Sequence, residues 1–167
     1  VFVTVFAAGI SSSINNAIDD NFQGDIVLQN VDGFSPISPE AARAAEGVDG
    51  VRTVSSLSFA GGVYDGKDIN ISGVNPATVS DVLTLDWENG SPHTLEELSG
   101  GGAIADDAWA KSNDLEPGDQ ITVRSPLEQD VKLTINGTIK DNADLLGSLV
   151  VPEETLRSDF GDTEPSM

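Results

Sequence analysis

The feature that most constrains this chain is the segment Gly100 to Val123, GGGAIADDAWAKSNDLEPGDQITV, which reads as a strand, a helix, a tight turn and a second strand. Ala103, Ile104 and Ala105 form an apolar run after three glycines. Asp106 can cap a helix beginning at Asp107, and Pro117-Gly118 suits the central positions of a type II turn. Beyond the turn the pattern alternates: Ile121 and Val123 face a core while Thr122 and Arg124 face water. After a loop through Pro126 the alternation resumes with Val131, Leu133 and Ile135, so a hairpin is expected. Nothing in this unit carries chemistry; its signals are architectural.

The rest of the chain is punctuated in the same way. Ile26, Val27 and Leu28 form a continuous run suited to a strand covered on both faces. Ser38-Pro39-Glu40 is a helix start, with serine as cap, proline in the first helical position and an acid in the first turn; Gly47 and Gly50 mark the exit. Val51 to Phe59 returns as a strand, and Val63 to Lys67 supplies a hairpin turn into Ile69, Ile71 and Val74. From Asn75-Pro76 the chain reads as irregular, with short helical pieces near Thr78 to Leu83 and Thr94 to Leu98 and an irregular Leu85 to Gly90 between them. Leu149-Val150-Val151 is the last strand, and Pro152-Glu153-Glu154 opens a helix reaching about Phe160.

A chain of 167 residues can bury a sizeable core without staples, and it contains no cysteine, which removes disulfides, thiolate metal sites and cysteine nucleophiles together. Its 28 acidic against 8 basic residues give a formal net charge of -20. A surface of that sign repels phosphate, and no basic stripe offsets it, so nucleic acid is not an expected partner. The acidity fits either solubility or adaptation to high salt.

The search for chemistry returns little. His93 is the single histidine, which excludes histidine-pair zinc sites; Glu96 and Glu97 lie near it in sequence, but a loop histidine is the plainer reading. There is no G-x-S-x-G elbow, no phosphate-binding glycine motif and no calcium-loop spacing around Asp106-Asp107 or Asp141 to Asp144. Sequons at Asn70, Asn89 and Asn136 suit surface positions. Trp109 is expected in the core. Trp87 lies in the irregular segment, where burial would close a small core and exposure would anchor a partner or substrate.

Val1 to Ile10 is apolar except for Thr4 and too short to span a bilayer, which needs about 20 residues. It reads either as a buried first element or as the outer end of a transmembrane helix. Ile14, Ile18 and Phe22 then recur at helical spacing with polar residues between, as an amphipathic stalk would.

The order of these elements, with Val74 to Thr78, Leu85-Asp86-Trp87, Asn89-Gly90, Gly100 to Ala105, Leu115 to Asp119 and Leu145 to Val151, resembles the MacB-like periplasmic core domain of FtsX-like ABC transporter permeases. The resemblance implies an α+β, two-lobed extracytoplasmic domain. Residues 1–24 would be the end of a transmembrane helix and the stalk, and 25–60 the first part of a strand-helix-strand, porter-like lobe. Residues 61–142 would form an inserted, mainly β lobe, and 143–167 a truncated return to the first. It also implies a non-catalytic domain without cofactor or metal, on the extracytoplasmic side of a cell membrane. There it would serve a permease dimer driven by a cytoplasmic ABC ATPase, with Ile14, Ile18 and Phe22 transmitting movement. The chain departs from the family in stopping where a second strand-helix-strand unit is expected. The alternative is a free-standing secreted module that recognises a protein or carbohydrate through Asn75 to Gly90.

Overall fold

The computed structural model describes residues 39–140 and 143–161. The stalk residues Ile14, Ile18 and Phe22, the strand expected at Ile26 to Leu28, and Asp141 and Asn142 lie outside them. The first helix, α1 (Pro39–Glu46), begins at the proline of the S-P-E signal. From Leu57 onward the chain builds one mixed sheet.

The hairpin of β1 (Leu57–Tyr64) and β2 (Lys67–Val74) closes on Asp65-Gly66, whose φ values of 48° and 73° are the left-handed pair that a two-residue type I′ turn demands. Short helix α2 (Val79–Val82), strand β3 (Asp86–Asn89) and helix α3 (Pro92–Glu96) follow. The strand-helix-turn-strand unit is realised as β4 (Gly102–Asp106), α4 (Asp107–Ser112) and β5 (Gln120–Arg124), leading into the long β6 (Asp130–Lys140). The Asp106 carboxylate accepts the Trp109 N–H at 2.8 Å as helix cap. Asp119 N–H donates to Glu116 O at 3.0 Å across the Pro117-Gly118 turn, with Gly118 at φ 104°. The chain ends its described course in α5 (Ala143–Leu146), β7 (Leu149–Pro152) and α6 (Glu153–Asp159).

The strand order is β3-β6-β4-β7-β2-β1-β5, and β5 pairs back onto β6, so six strands close into a ring with β3 as a seventh strand on the side of β6. Closure depends on the length of β6. Its first half pairs antiparallel with β5, from Arg124↔Asp130 to Gln120↔Thr134, and its last residues pair with β3. Its other edge pairs in parallel with β4. A second parallel pair joins β2 to β7, and a single bridge, Val63↔Arg124, links β1 to β5.

Period-2 alternation sorts the apolar residues into two cores. Ile71, Ala103, Ala105, Val123, Leu133, Ile135, Leu149 and Val151 fill the ring, joined by Ala110 of α4 and by Leu156 and Phe160 at α6. The intervening Val74, Ile104, Ile139 and Val150 face outward and are covered by Val79, Leu83, Leu95, Leu98, Leu145 and Leu146 from α2, α3, α5 and their ends. Strands β4 and β7 are therefore buried on both faces, as their uninterrupted apolar runs require.

Three expectations are refined. The strand foreseen at Val51 to Phe59 runs instead from Leu57 to Tyr64, passing through Gly61-Gly62, because the Asp65-Gly66 turn fixes the hairpin register up to Tyr64↔Lys67. The segment read as irregular at Leu85 to Gly90 contains β3, made a strand by its pairing with β6. Mixed α and β structure is present as expected, and the described strands form one mixed, barrel-like sheet with several short helices; a division into two lobes is not shown among the described residues.

Candidate functional site

Trp87, the residue singled out for partner or substrate contact, sits on β3 opposite Ile139 of β6. It is half-buried and packs against the outward-facing core. Its place is set by glycines: a Cβ at Gly137 would lie 3.2 Å from the indole and 2.6 Å from Asn89 O, and one at Gly90 would lie 2.8 Å from the ring. Only hydrogen in those positions lets β3 and the loop after it close on the indole. Asn89 Nδ2 donates to Thr138 Oγ1 at 3.0 Å across the bulge that follows Trp87.

Beside the ring lies a surface groove of about 120 Å³, lined by Ser80, Leu83, Thr84, Leu85, Pro92 and Leu95 as well as Trp87. Its walls are the ends of α2 and α3. In α3, Pro92 occupies the first helical position, and Ser91 N–H donates to Thr94 Oγ1 at 3.1 Å while Thr94 N–H donates to Ser91 O at 2.9 Å. Both helices are too short to cover the sheet completely, and the groove is the space that remains.

On the other face of β3, Glu88 is held between two lysines. Its carboxylate pairs with Lys140 Nζ of β6 and lies 3.8 Å from Lys111 Nζ of α4, which in turn donates to Asp107 Oδ2 at 2.8 Å. The hydrogen bond to Asp107 raises the Lys111 pKa above its ordinary 10.5, with Glu88 adding to it; the hydrogen bond to Glu88 does the same for Lys140. Two of the four lysines in a chain of charge -20 are thus gathered on one edge strand.

The remaining sequence candidates are distributed rather than assembled. His93 is exposed on α3 with Nε2 3.1 Å from Glu97 Oε1 and Nδ1 3.5 Å from Glu96 Oε2. No group of three or more potential metal ligands occurs among the described residues. Asp106 is a buried cap and Asp107 an ion-pair partner. The sequon residues Asn70, Asn89 and Asn136 are exposed. Trp109 packs half-buried against the interior core, edge to face with Tyr64 at 5.3 Å between ring centroids. The groove lining beyond Trp87 was not foreseen, because Leu83, Leu85 and Leu95 carry no signal of convergence until β3 pairs with β6.

No family model and no curated protein matches the chain. Solved structures do. The extracellular domain of the noncanonic ABC-type transporter YknZ from Gram-positive bacteria aligns over 78% of this chain and 70% of its own, with a TM-score of 0.54 and 22% identity. A domain of a protein described as a permease, from Porphyromonas gingivalis, aligns over 78% of this chain and 64% of its own, with a TM-score of 0.52 and 16% identity. No described helix is long and apolar enough to cross a membrane. At these identities the likeness concerns the fold, and in fold this chain resembles the extracellular domain of the ABC-type transporter YknZ and the Porphyromonas gingivalis permease domain.

Proposed function

We propose that this chain is the extracytoplasmic domain of an ABC transporter permease subunit in a cell membrane. It is non-catalytic and couples ATP hydrolysis by a cytoplasmic ABC ATPase to movement of, or on, an extracytoplasmic substrate such as a lipoprotein, peptide or drug. The permease acts as a dimer, and Ile14, Ile18 and Phe22 form the stalk that transmits movement. The observation that carries this reading is the likeness of the barrel, over 78% of the chain, to the YknZ extracellular domain. The use of polar residues agrees with it: Asp106 caps a helix, and Glu88 and Asp107 hold lysines.

The test is to express the complete gene in its host with an epitope in the exposed loop at Asp65-Gly66, fractionate the cells and purify the product from membranes. The expected result is a membrane protein whose epitope is cleaved by external protease and which brings an ABC ATPase with it. ATP hydrolysis by the isolated 167-residue chain, or tight ATP binding in calorimetry, overturns the reading. A soluble exported product overturns it too, and favours the secreted binding module, for which the Trp87 groove would be the recognition surface.

A further inference from the structure

We infer that the groove beside Trp87 docks an extended segment of a partner protein carrying one aliphatic side chain flanked by lysine or arginine. Size selects the side chain. Ligand pockets usually measure about 300–1,000 Å³, whereas this groove, with Leu83, Leu85, Pro92 and Leu95 around the indole, holds about 120 Å³ and suits one group of leucine size.

The neighbouring backbone selects an extended segment. Strand β3 ends the strand order, so its far edge meets no strand among the described residues, while the Glu88 pairs with Lys111 and Lys140 fix the strand in place. An added strand obtains affinity from main-chain hydrogen bonds along such an edge and specificity from a side chain entering an adjacent pocket.

Charge selects the flanks. Residues 75–98, which build both walls, contain Asp81, Asp86, Glu88, Glu96 and Glu97 and no lysine or arginine. Asp86 and Glu88 share the lysine-bearing face of β3, while Asp81 on α2 and Glu96 and Glu97 at α3 are exposed on the two helices that wall the groove, in a protein of charge -20. A basic segment is drawn to that rim and an acidic one repelled. The inference does not depend on the permease reading, since it concerns a surface of the isolated domain, and each can fail without the other.

The two tryptophans make the test direct. The full 167-residue chain, 15N-labelled at tryptophan and with resonances assigned through Trp87→Phe, is titrated with acetylated and amidated Lys-Thr-Leu-Thr-Lys. Parallel titrations use the same peptide with glycine for leucine and with glutamate for both lysines. The leucine peptide is expected to shift the Trp87 indole N–H saturably and leave Trp109 unmoved. The glycine peptide should bind about tenfold more weakly, as loss of a buried aliphatic side chain implies, and the glutamate peptide should give no saturable shift. The double variant Asp81→Asn/Glu96→Gln, at exposed positions on the groove-walling helices, should weaken the leucine peptide severalfold with the unfolding midpoint unchanged. Equal responses to the basic and acidic peptides overturn the proposal. So does a Trp87 shift that follows protein concentration alone, which would mean a second copy of the chain, or an equal shift with hexanol, which would mean a generic apolar site. The absence of a saturable shift up to about 10 mM peptide overturns it as well.

Discussion

The sheet has two apolar faces, and they are finished differently. Inside the ring, strands surround the core and α4 and α6 add Ala110, Leu156 and Phe160 to it, and Ile71, Leu133, Ile135 and Leu149 are wholly shielded from solvent. Outside it, Ile104, Ile139 and Val150 are shielded just as well, but by short helices, and the cover stops at Trp87. A closed ring leaves no edge at which packing can fail, whereas a patchwork of one-turn helices leaves a seam. The two tryptophans follow this division: Trp109 lies against the ring interior and Trp87 marks the seam. Stability should therefore be concentrated on the first face and recognition on the second.

That division can be broken by mutation. Leu133→Ala, in the ring, should cost about 2–5 kcal/mol in denaturant unfolding. A loss near 1 kcal/mol would show that the interior relaxes as easily as the surface. Gly62→Ala introduces a Cβ that would lie 2.8 Å from Val123 Cγ1 and 3.0 Å from Ile71 Cδ1; overpacking of that kind costs about 1–3 kcal/mol. Removal of the cap in Asp106→Ala should cost about 1 kcal/mol, through the unsatisfied Trp109 N–H. Leu85→Ala, on the half-buried groove wall, should cost about 1 kcal/mol or less, and a larger loss would place the seam among the stabilising parts of the molecule.

The smallest effect concerns the clamp on β3. Lys111 and Lys140 hold their protons more tightly in the folded state than their ordinary 10.5 implies, so the stabilisation is fully present below that pH and is lost as the pH rises through the raised values. Thermal unfolding followed from pH 9 upward should decline more steeply in the wild type than in Glu88→Gln. Salt should diminish the difference, because both lysines are exposed and their pairs are screened. Parallel curves for the two proteins would show that the clamp contributes nothing.

The hairpin from β5 to β6 and the β4-α4 unit were legible because each signal is local. An acid lies before a helix, proline and glycine sit at a turn, and alternation returns on either side of it. Strand β3 was not legible. Asp86-Trp87-Glu88-Asn89 has neither β-branched residues nor the composition of a strand, and its conformation comes from β6 and the glycine at 137. Gly61-Gly62 misled in the opposite sense: two glycines that look like a strand terminus lie inside β1, where Gly62 faces the crowded ring. The parallel pairings β2 with β7 and β4 with β6 leave no local trace at all, yet the ring is incomplete without them. Of the candidate site, Trp87 could be named from the sequence, but the groove could not, since its lining converges only when β3 pairs with β6.

The position of β7 has a further consequence for how the molecule comes into being. This strand is the last among the described residues yet lies between β2 and β4, and without it the ring is open there, its two sides joined only through β5, by the β5-β6 ladder and the single Val63↔Arg124 bridge. Contacts between segments so distant along the chain form slowly, because the intervening loop must be ordered before any pairing rewards it. During synthesis the β1-β2 hairpin and the β4-α4-β5-β6 portion emerge first and must wait, with apolar faces uncovered, until Leu149 to Pro152 arrives. Closure of the ring is consequently a late step, and truncation before β7 should leave the barrel open rather than merely shorter.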